Sequence, residues 1–122
     1  MWQVIFYTRP NGRRPAQEWI DSQDNSIRPS IDVRIQKLRL EGQLLVENDM
    51  LVPIREKPGG RLVPGFYELK DRGRKWRIAT YHDLNKDIFV LIWGWRKSRQ
   101  SQEQDVRRAL KLLEEYKFTE GE

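Results

Sequence analysis

The hydrophobic pattern is strongest between Gly65 and Gln100, where it predicts three consecutive β-strands. Their predicted bounds are Phe66–Lys70, Trp76–His82 and Ile88–Trp95. Turn-forming residues at 71–74 and 83–86 separate them. The third strand is a nearly continuous apolar run, as expected for a strand that is covered on both faces. The rest of the fold is therefore expected to be organised around these three strands.

The first half of the chain predicts one strand, two helices and a second strand. Trp2–Tyr7 is apolar, and the breaker at residues 9–12 ends it. Pro15 stands at a first helical position, and Ser26 stands at the predicted cap of a second helix. The apolar residues of that second helix recur at helical spacing, at Ile27, Ile31, Ile35 and Leu38. Met50–Lys57 predicts a further strand, which Pro53 restricts to a sheet edge.

The end of the chain predicts one amphipathic helix. Ser101 is followed three places later by Gln104, which resembles a capping box at a helix start. The apolar stripe of this helix consists of Val106, Ala109, Leu110, Leu113 and Tyr116. The order β-α-α-β-β-β-β-α predicts a single α+β domain over residues 1–122, with the helices on one face of a sheet.

Composition narrows the class of protein. The 122 residues include no cysteine, so they offer no disulfide framework and no thiolate metal site. No apolar run approaches the roughly 20 residues that span a bilayer. The N-terminus places its apolar residues before its positive ones, which is the reverse of a signal peptide. We expect a soluble, cytoplasmic protein with no membrane partner.

Positive charge is concentrated in the middle of the chain. The formal net charge is +5 at pH 7, and residues 55–99 alone hold 12 basic and 5 acidic residues. A localised positive field attracts polyanions, which favours a nucleic-acid partner. The residues predicted to contact RNA are the cations Arg72, Arg74, Lys75, Arg96 and Arg99, with Tyr81, Trp93 and Trp95 as candidate stacking surfaces.

Three further cations lie at or near strand positions, where a core would exclude them: Lys70, Arg77 and Lys97. With a period of two, Glu68 and Lys70 share one face of their strand. If the cations converge on an uncovered face of the sheet, they form a groove for an anion. Glu68 then either pairs with a cation or accepts a proton, and the sequence leaves both roles open.

The residues near these cations limit the chemistry that the site could perform. His82 is the only histidine, and no cluster of residues has metal-ligand spacing, so no metal or cofactor is predicted. Metal-free cleavage of RNA is chemically open, because the 2′-hydroxyl supplies the nucleophile. The protein needs only to orient it and to stabilise charge on the phosphate. Arginine suits that role as a planar fork for phosphate oxygens.

Three short motifs resemble those of the RelE/ParE toxin superfamily, and most of all its HigB-like, phage-derived branch. They are Gly65-Phe66-Tyr67-Glu68-Leu69-Lys70, Trp76-Arg77-Ile78 and Trp93-Gly94-Trp95-Arg96-Lys97-Ser98. The similarity covers about residues 62–116. It implies a RelE-like (microbial RNase-like) α+β fold, in which an antiparallel sheet carries two N-terminal helices and one C-terminal helix.

The resemblance also implies a function. The implied protein is the toxin of a type II toxin–antitoxin system. Such a toxin is an endoribonuclease that cleaves mRNA on the ribosome, and a helix-turn-helix antitoxin neutralises it. Carried over to this chain, Arg77 binds the scissile phosphate, Lys70 and Lys97 take the family's basic positions, and Glu68 matches the branch's glutamate. Ser98 replaces a lysine and Trp93 replaces a histidine of many relatives, which leaves the general acid and base unassigned.

Two other functions fit the same residues. A ParE-like inhibitor of DNA gyrase would have this fold and would use the cations only as surface charge. A non-catalytic RNA-binding module would use the basic sheet and its aromatic residues without cleaving anything.

Overall fold

A computed structural model describes residues 1–73, 75–97 and 102–121 of the chain. The strands are β1 (Gln3–Phe6), β2 (Leu51–Arg55), β3 (Leu62–Lys70), β4 (Trp76–Asp83) and β5 (Ile88–Arg96). The helices are α1 (Pro15–Asp21), α2 (Arg28–Glu41), the short α3 (Leu44–Glu47) and α4 (Glu103–Thr119). The predicted α+β class is confirmed. Within the described ranges, no helix combines the length and the apolar character needed to cross a bilayer.

One sheet of five strands contains all the β-structure of the described residues, in the order β1-β5-β4-β3-β2. The strands β2 to β5 pair in antiparallel fashion along the chain, as the predicted sheet requires. The strand β1 adds to β5 in parallel, with Gln3 opposite Ile88. Strand β2 lies at the other edge of the sheet, as Pro53 predicted. At an edge, no further strand needs the N–H that proline lacks.

Helices cover both faces of the sheet, so the prediction of helices on one face is wrong. The helices α1 and α2 pack with Ile78, Phe89 and Leu91 in one core. The helix α4 packs with Val90 and Ile92 in a second core on the opposite face. From Ile88 to Ile92, neighbouring residues of β5 alternate between the two cores, because successive side chains of a strand point to opposite faces. This explains why β5 is apolar along nearly its whole length.

The starts of two helices differ from the sequence-based expectation. The helix α2 begins at Arg28 with Ile27 at the cap position, so Ser26 is not its cap. The Ser26 hydroxyl instead donates a hydrogen bond to the Asp24 carboxylate, and the Ser26 backbone N–H does the same. Asp24 therefore organises this turn through its side chain. The helix α4 has Gln102 at its cap position, and the predicted cap Ser101 lies outside the described residues.

A β-bulge in β5 changes which side chains meet α4. The register shifts so that Thr80 pairs with Leu91 while Ala79 pairs with Trp93, which leaves one extra residue, Ile92, in β5. Ile92 and Trp93 consequently both pack on the α4 side of the sheet. Gly94 then faces the other side, against the Trp19 ring of α1.

Replacing Gly94 with alanine is expected to destabilise the fold by about 1–3 kcal/mol, the usual cost of overpacking a core. A Cβ at this position would lie 2.3 Å from a Trp19 ring carbon, so that the indole or the strand must move. Urea denaturation measures the change. Gly73→Ala is the matched control, because the atom nearest to its Cβ, at 3.2 Å, is an oxygen of the Asp71 carboxylate, the end of a flexible side chain. Equal stability of the two variants would contradict this packing.

Candidate functional site

Strand pairing brings three residues of the predicted site together. Lys70 at the end of β3 pairs with Arg77 near the start of β4, and Arg77 pairs with Trp95 of β5. Paired residues of adjacent strands project from the same face of a sheet. Glu68 lies two residues before Lys70 and therefore projects from that face as well. The site lies at one end of the sheet, on the side that also carries α4.

Lys97 joins the group from the end of β5. It lies two residues beyond Trp95, and its backbone N–H donates a hydrogen bond to the Lys75 carbonyl at 3.0 Å, which holds the chain beside β4. The positive charge of Lys97 acts on the Glu68 carboxylate and favours its ionised form. The three strand cations that the sequence separates thus act on one carboxylate.

Glu68 is the electrostatic centre of this site. Its Oε1 atom lies 3.3 Å from Nε of Arg77, and only 22% of its side chain is exposed. Burial raises the pKa of Glu68 above its ordinary value, while the charges of Arg77, Lys70 and Lys97 oppose the rise. Burial penalises the charged carboxylate, and opposite charges stabilise it. Glu68 is therefore an anion whose proton affinity is higher than that of an exposed glutamate.

Arg77 lies at the bottom of the site, with 4% of its surface exposed. Its Nη1 donates to the Trp76 carbonyl at 2.8 Å, while its Nε faces Glu68. Trp76 is itself fixed from the other side of the sheet, where its indole N–H donates to the Ser30 hydroxyl of α2 at 2.9 Å. The guanidinium is thus held in one orientation. The cations nearer to solvent are Lys97, which is exposed, and Lys70, which is half-buried.

The predicted loop cations divide between the two faces. Arg72 and Lys75 are exposed in the β3–β4 turn, beside the site. Arg96 pairs with Trp76 of the α1–α2 core, and its charge acts on Asp24, so it lies on the opposite face from Arg77. The prediction that Arg96 contributes to the same surface is therefore not supported. Arg74, Ser98 and Arg99 lie outside the described residues.

Two of the three predicted stacking residues, Tyr81 and Trp95, lie under α4, so the prediction of an uncovered sheet face is wrong. Trp95 is 4% exposed, and its indole N–H donates to the Gln102 side chain at 2.9 Å. The Tyr81 ring packs edge-on against Tyr116 of α4 at 5.8 Å, with Lys117 Nζ 5.2 Å from its centroid. Trp95 therefore has no exposed face on which a base could stack, whereas the Tyr81 ring is half-buried between Tyr116 and Lys117. The two rings are covered because of the bulge in β5 and the position of α4. Neither feature can be predicted from local sequence pattern.

His82 lies away from the cluster, near the other end of β4. Its ring stacks on Phe89 at 4.4 Å, with hydrogen-bond partners in Gln43 at 2.7 Å and Asp87 at 3.2 Å. A histidine with both ring nitrogens engaged in this way is part of the packing. Among the described residues, no group of three histidine, aspartate or glutamate side chains is placed to hold a metal ion.

The hairpin between β2 and β3 carries cations that were not among the predicted site residues. Its cations Arg55 and Lys57 line a cleft of about 210 Å³, whose other wall is the first turn of α4. Gln102 belongs to that wall and also holds Trp95, the neighbour of Arg77 in the sheet. Gln102 therefore connects this cleft to the sheet residue that lies beside Arg77. The only signal in the sequence was the basic composition of the segment that begins at residue 55.

The fold is similar to that of a known toxin. The crystal structure of the isolated E. coli RelE toxin superposes with a TM-score of 0.60 at 13% sequence identity, over 93% of this chain and 99% of that chain. No protein-family model matches the sequence, and the comparison with curated proteins gave no match. The chain therefore has a RelE-like fold, as predicted. The assignment to the HigB-like branch stays a prediction.

Removing the Glu68 carboxylate is expected to destabilise the protein by about 1–3 kcal/mol, because Glu68→Ala leaves the buried Arg77 guanidinium without its anion. The matched control is Glu41→Ala, which breaks an (i, i+4) pair with Lys37 at 3.8 Å between partly exposed side chains. Such helix pairs contribute only about 0.3–0.5 kcal/mol. Chemical denaturation compares the two. Equal losses would show that the Glu68–Arg77 pair is not buried in solution.

Proposed function

We propose that this protein is a toxin of a type II toxin–antitoxin system that cleaves mRNA on the ribosome without a metal ion. The observation that carries the proposal is the convergence of Lys70, Arg77 and Lys97 on the Glu68 carboxylate. The RelE-like fold supports it, because the similar structure is that of a toxin. Ribosomes confine such an activity to the cytoplasm.

Binding of the RNA begins at the accessible cations. Lys97 and Lys70 meet a phosphate first, because they are nearer to solvent than Arg77. The phosphate then replaces Glu68 as the anion held by the Arg77 guanidinium. Both anions offer two oxygens to the same planar fork, so the exchange keeps the buried charge paired. The Glu68 carboxylate is released from Arg77 when the phosphate arrives.

The released carboxylate is the proposed general base. Burial raises the pKa of Glu68, which suits it to accept a proton near neutral pH. It takes the proton of the 2′-hydroxyl as that oxygen attacks the adjacent phosphorus. The bond from phosphorus to the 5′-oxygen breaks, and the products are a 2′,3′-cyclic phosphate and a 5′-hydroxyl end. A lysine ammonium group protonates the leaving oxygen more readily than Arg77, because guanidinium does not give up its proton in proteins.

An antitoxin is the proposed partner that controls this activity. It would neutralise the basic cluster by covering it or by distorting it, and a helix-turn-helix protein encoded beside the gene is the expected form. Growth arrest on induction of the toxin alone, with rescue by that neighbouring protein, is the predicted outcome. Failure of co-expression to restore growth would remove this pairing.

The proposed function is tested by primer extension on one mRNA with and without ribosomes. Wild-type protein is expected to produce cuts that require ribosomes, and Arg77→Ala is expected to abolish them. Losing one preorganised donor to the transition-state charge costs about 10²–10³ in rate. Arg28→Gln is the control for loss of positive charge, because Arg28 is exposed on α2, on the other face of the sheet.

The alternatives give different results in the same experiment. Cuts that persist in Arg77→Ala would contradict the role of Arg77 in the chemistry. Intact mRNA with gyrase-dependent DNA breaks would establish the gyrase inhibitor instead. Intact mRNA bound by a folded protein, with no DNA damage, would establish a non-catalytic RNA-binding module.

The pH dependence of cleavage is expected to report Glu68. The carboxylate accepts a proton only when it is ionised, so cleavage declines as pH falls through the pKa of Glu68. Because burial raises that pKa, the decline lies at higher pH than for an ordinary glutamate, whose pKa is about 4.3. Single-turnover rates across the pH range measure it. Glu68→Gln should be slow with no acidic decline, whereas Glu41→Gln should match the wild type. An unchanged profile in Glu68→Gln would contradict the assignment.

A further inference from the structure

A second pocket opens at the free edge of β5, separate from the Glu68 cluster. The pairing between β1 and β5 ends at Phe6 and Leu91, so β5 continues to Arg96 without β1 beside it. The pocket has a volume of about 340 Å³. This lies in the range of about 300–1,000 Å³ that is usual for small-molecule sites. Its lining residues are Arg9, Arg13, Pro15, Glu18, Trp19, Trp93 and Arg108.

Two tryptophan rings form the apolar part of this edge pocket, and they come from opposite faces of the sheet. Trp19 of α1 lies on Gly94, which has no side chain to displace it. Trp93 projects to the α4 side because of the bulge in β5, and its indole N–H is 3.3 Å from the Asp105 carboxylate. Both rings are only half-buried. Aromatic side chains of this kind stack on unpaired bases.

Three arginines and the Glu18 carboxylate form the polar part of the edge pocket. Arg9 is held by Glu115 through two contacts of 3.0 and 3.1 Å, and Arg13 by Glu18 at 2.5 Å. A guanidinium has five N–H donors, so a carboxylate that takes two of them orients the group and leaves others for a second anion. Arg108 lies over the Trp93 ring, with Cζ 5.6 Å from its centroid. This places a cation over the Trp93 ring, close to a nucleotide bound between the two indoles.

We propose that the edge pocket binds one unstacked nucleotide of RNA, with the base against Trp19 and Trp93 and the phosphate against Arg9, Arg13 and Arg108. A nucleotide joins a planar ring to an anion a few ångströms away, which is the combination that the pocket offers. An acidic peptide would satisfy the arginines but would supply no ring for the indoles. The proposal depends on RNA being the partner, as the proposed function holds, but it does not depend on cleavage.

The test follows the indole N–H signals of the five tryptophans by NMR while RNA is added. The probes are adenosine 5′-monophosphate and a single-stranded pentanucleotide. Trp19 and Trp93 are expected to shift in a saturable way, and Trp76 is expected not to shift because it is buried against α2. Trp19→Phe and Trp93→Phe assign the signals. Comparing the affinity for a hairpin RNA with one bulged nucleotide with that for the pentanucleotide shows whether the bound nucleotide comes from structured RNA or from single-stranded mRNA.

The variants separate this pocket from the catalytic cluster. Arg108→Gln, at an exposed helix position, should weaken binding severalfold and lower the salt dependence by about 0.7 in log–log slope, the value for one phosphate of a single strand. Arg28→Gln should behave as the wild type. Arg77→Ala should retain both indole shifts, so that loss of cleavage and loss of this pocket are distinguishable.

Several outcomes would overturn the proposal. One is a folded protein in which RNA leaves the Trp19 and Trp93 signals unmoved. Another is equal binding by Arg108→Gln and Arg28→Gln. Shifts produced equally by inorganic phosphate would show an anion site that does not recognise nucleotides. Shifts produced by a pentaglutamate peptide and not by RNA would show a site for a protein partner.

Discussion

The ion pair between Glu68 and Arg77 is the interaction on which the site depends. A sheet that is covered on both faces has little room for an arginine near the start of its central strand, and an unpaired guanidinium there would be costly. Glu68 supplies the counter-ion from the adjacent strand, and the Trp76 carbonyl supplies a second acceptor. The pair therefore holds the Arg77 guanidinium in position, and in the proposed function that group then binds the phosphate of the RNA. The same pairing keeps a carboxylate of raised pKa next to the place where the phosphate would bind.

The architecture explains why this cluster lies at the end of the sheet. The helix α4 crosses the face that carries Arg77 and fills its middle with Ala109, Leu112 and Leu113. Only the end of β3, the start of β4 and the residue after β5 remain for charged groups, and Lys70, Arg77 and Lys97 occupy those places. The first turn of α4 and the β2–β3 hairpin then form the walls of the adjoining cleft. The position of α4 thus determines both the packing of this core and the end of the sheet at which the cations lie.

Much of this arrangement followed from sequence pattern, and the remainder depended on tertiary contacts. Period-two alternation placed Glu68 and Lys70 on one face, and the apolar run of β5 indicated burial on both faces. The apolar run of β5 already indicated that helices cover both faces, although helices were predicted on one face only. Pattern could not reveal the bulge in β5, which turns Trp93 towards α4, or the cover that α4 places over Tyr81 and Trp95. Ser26 failed as a predicted cap because Asp24 competes for the same turn.

In the proposed mechanism the 2′-hydroxyl of the RNA is the nucleophile, and one substitution in the substrate tests this most directly. A model mRNA with a single 2′-deoxynucleotide on the 5′ side of the scissile phosphate would be placed on ribosomes with the wild-type protein. The proposed mechanism predicts no cut at that position. The all-ribose mRNA should be cut there and should yield 2′,3′-cyclic phosphate and 5′-hydroxyl ends. A cut at the deoxy position would show that a water molecule or a protein group attacks the phosphate, and it would contradict the role given to Glu68.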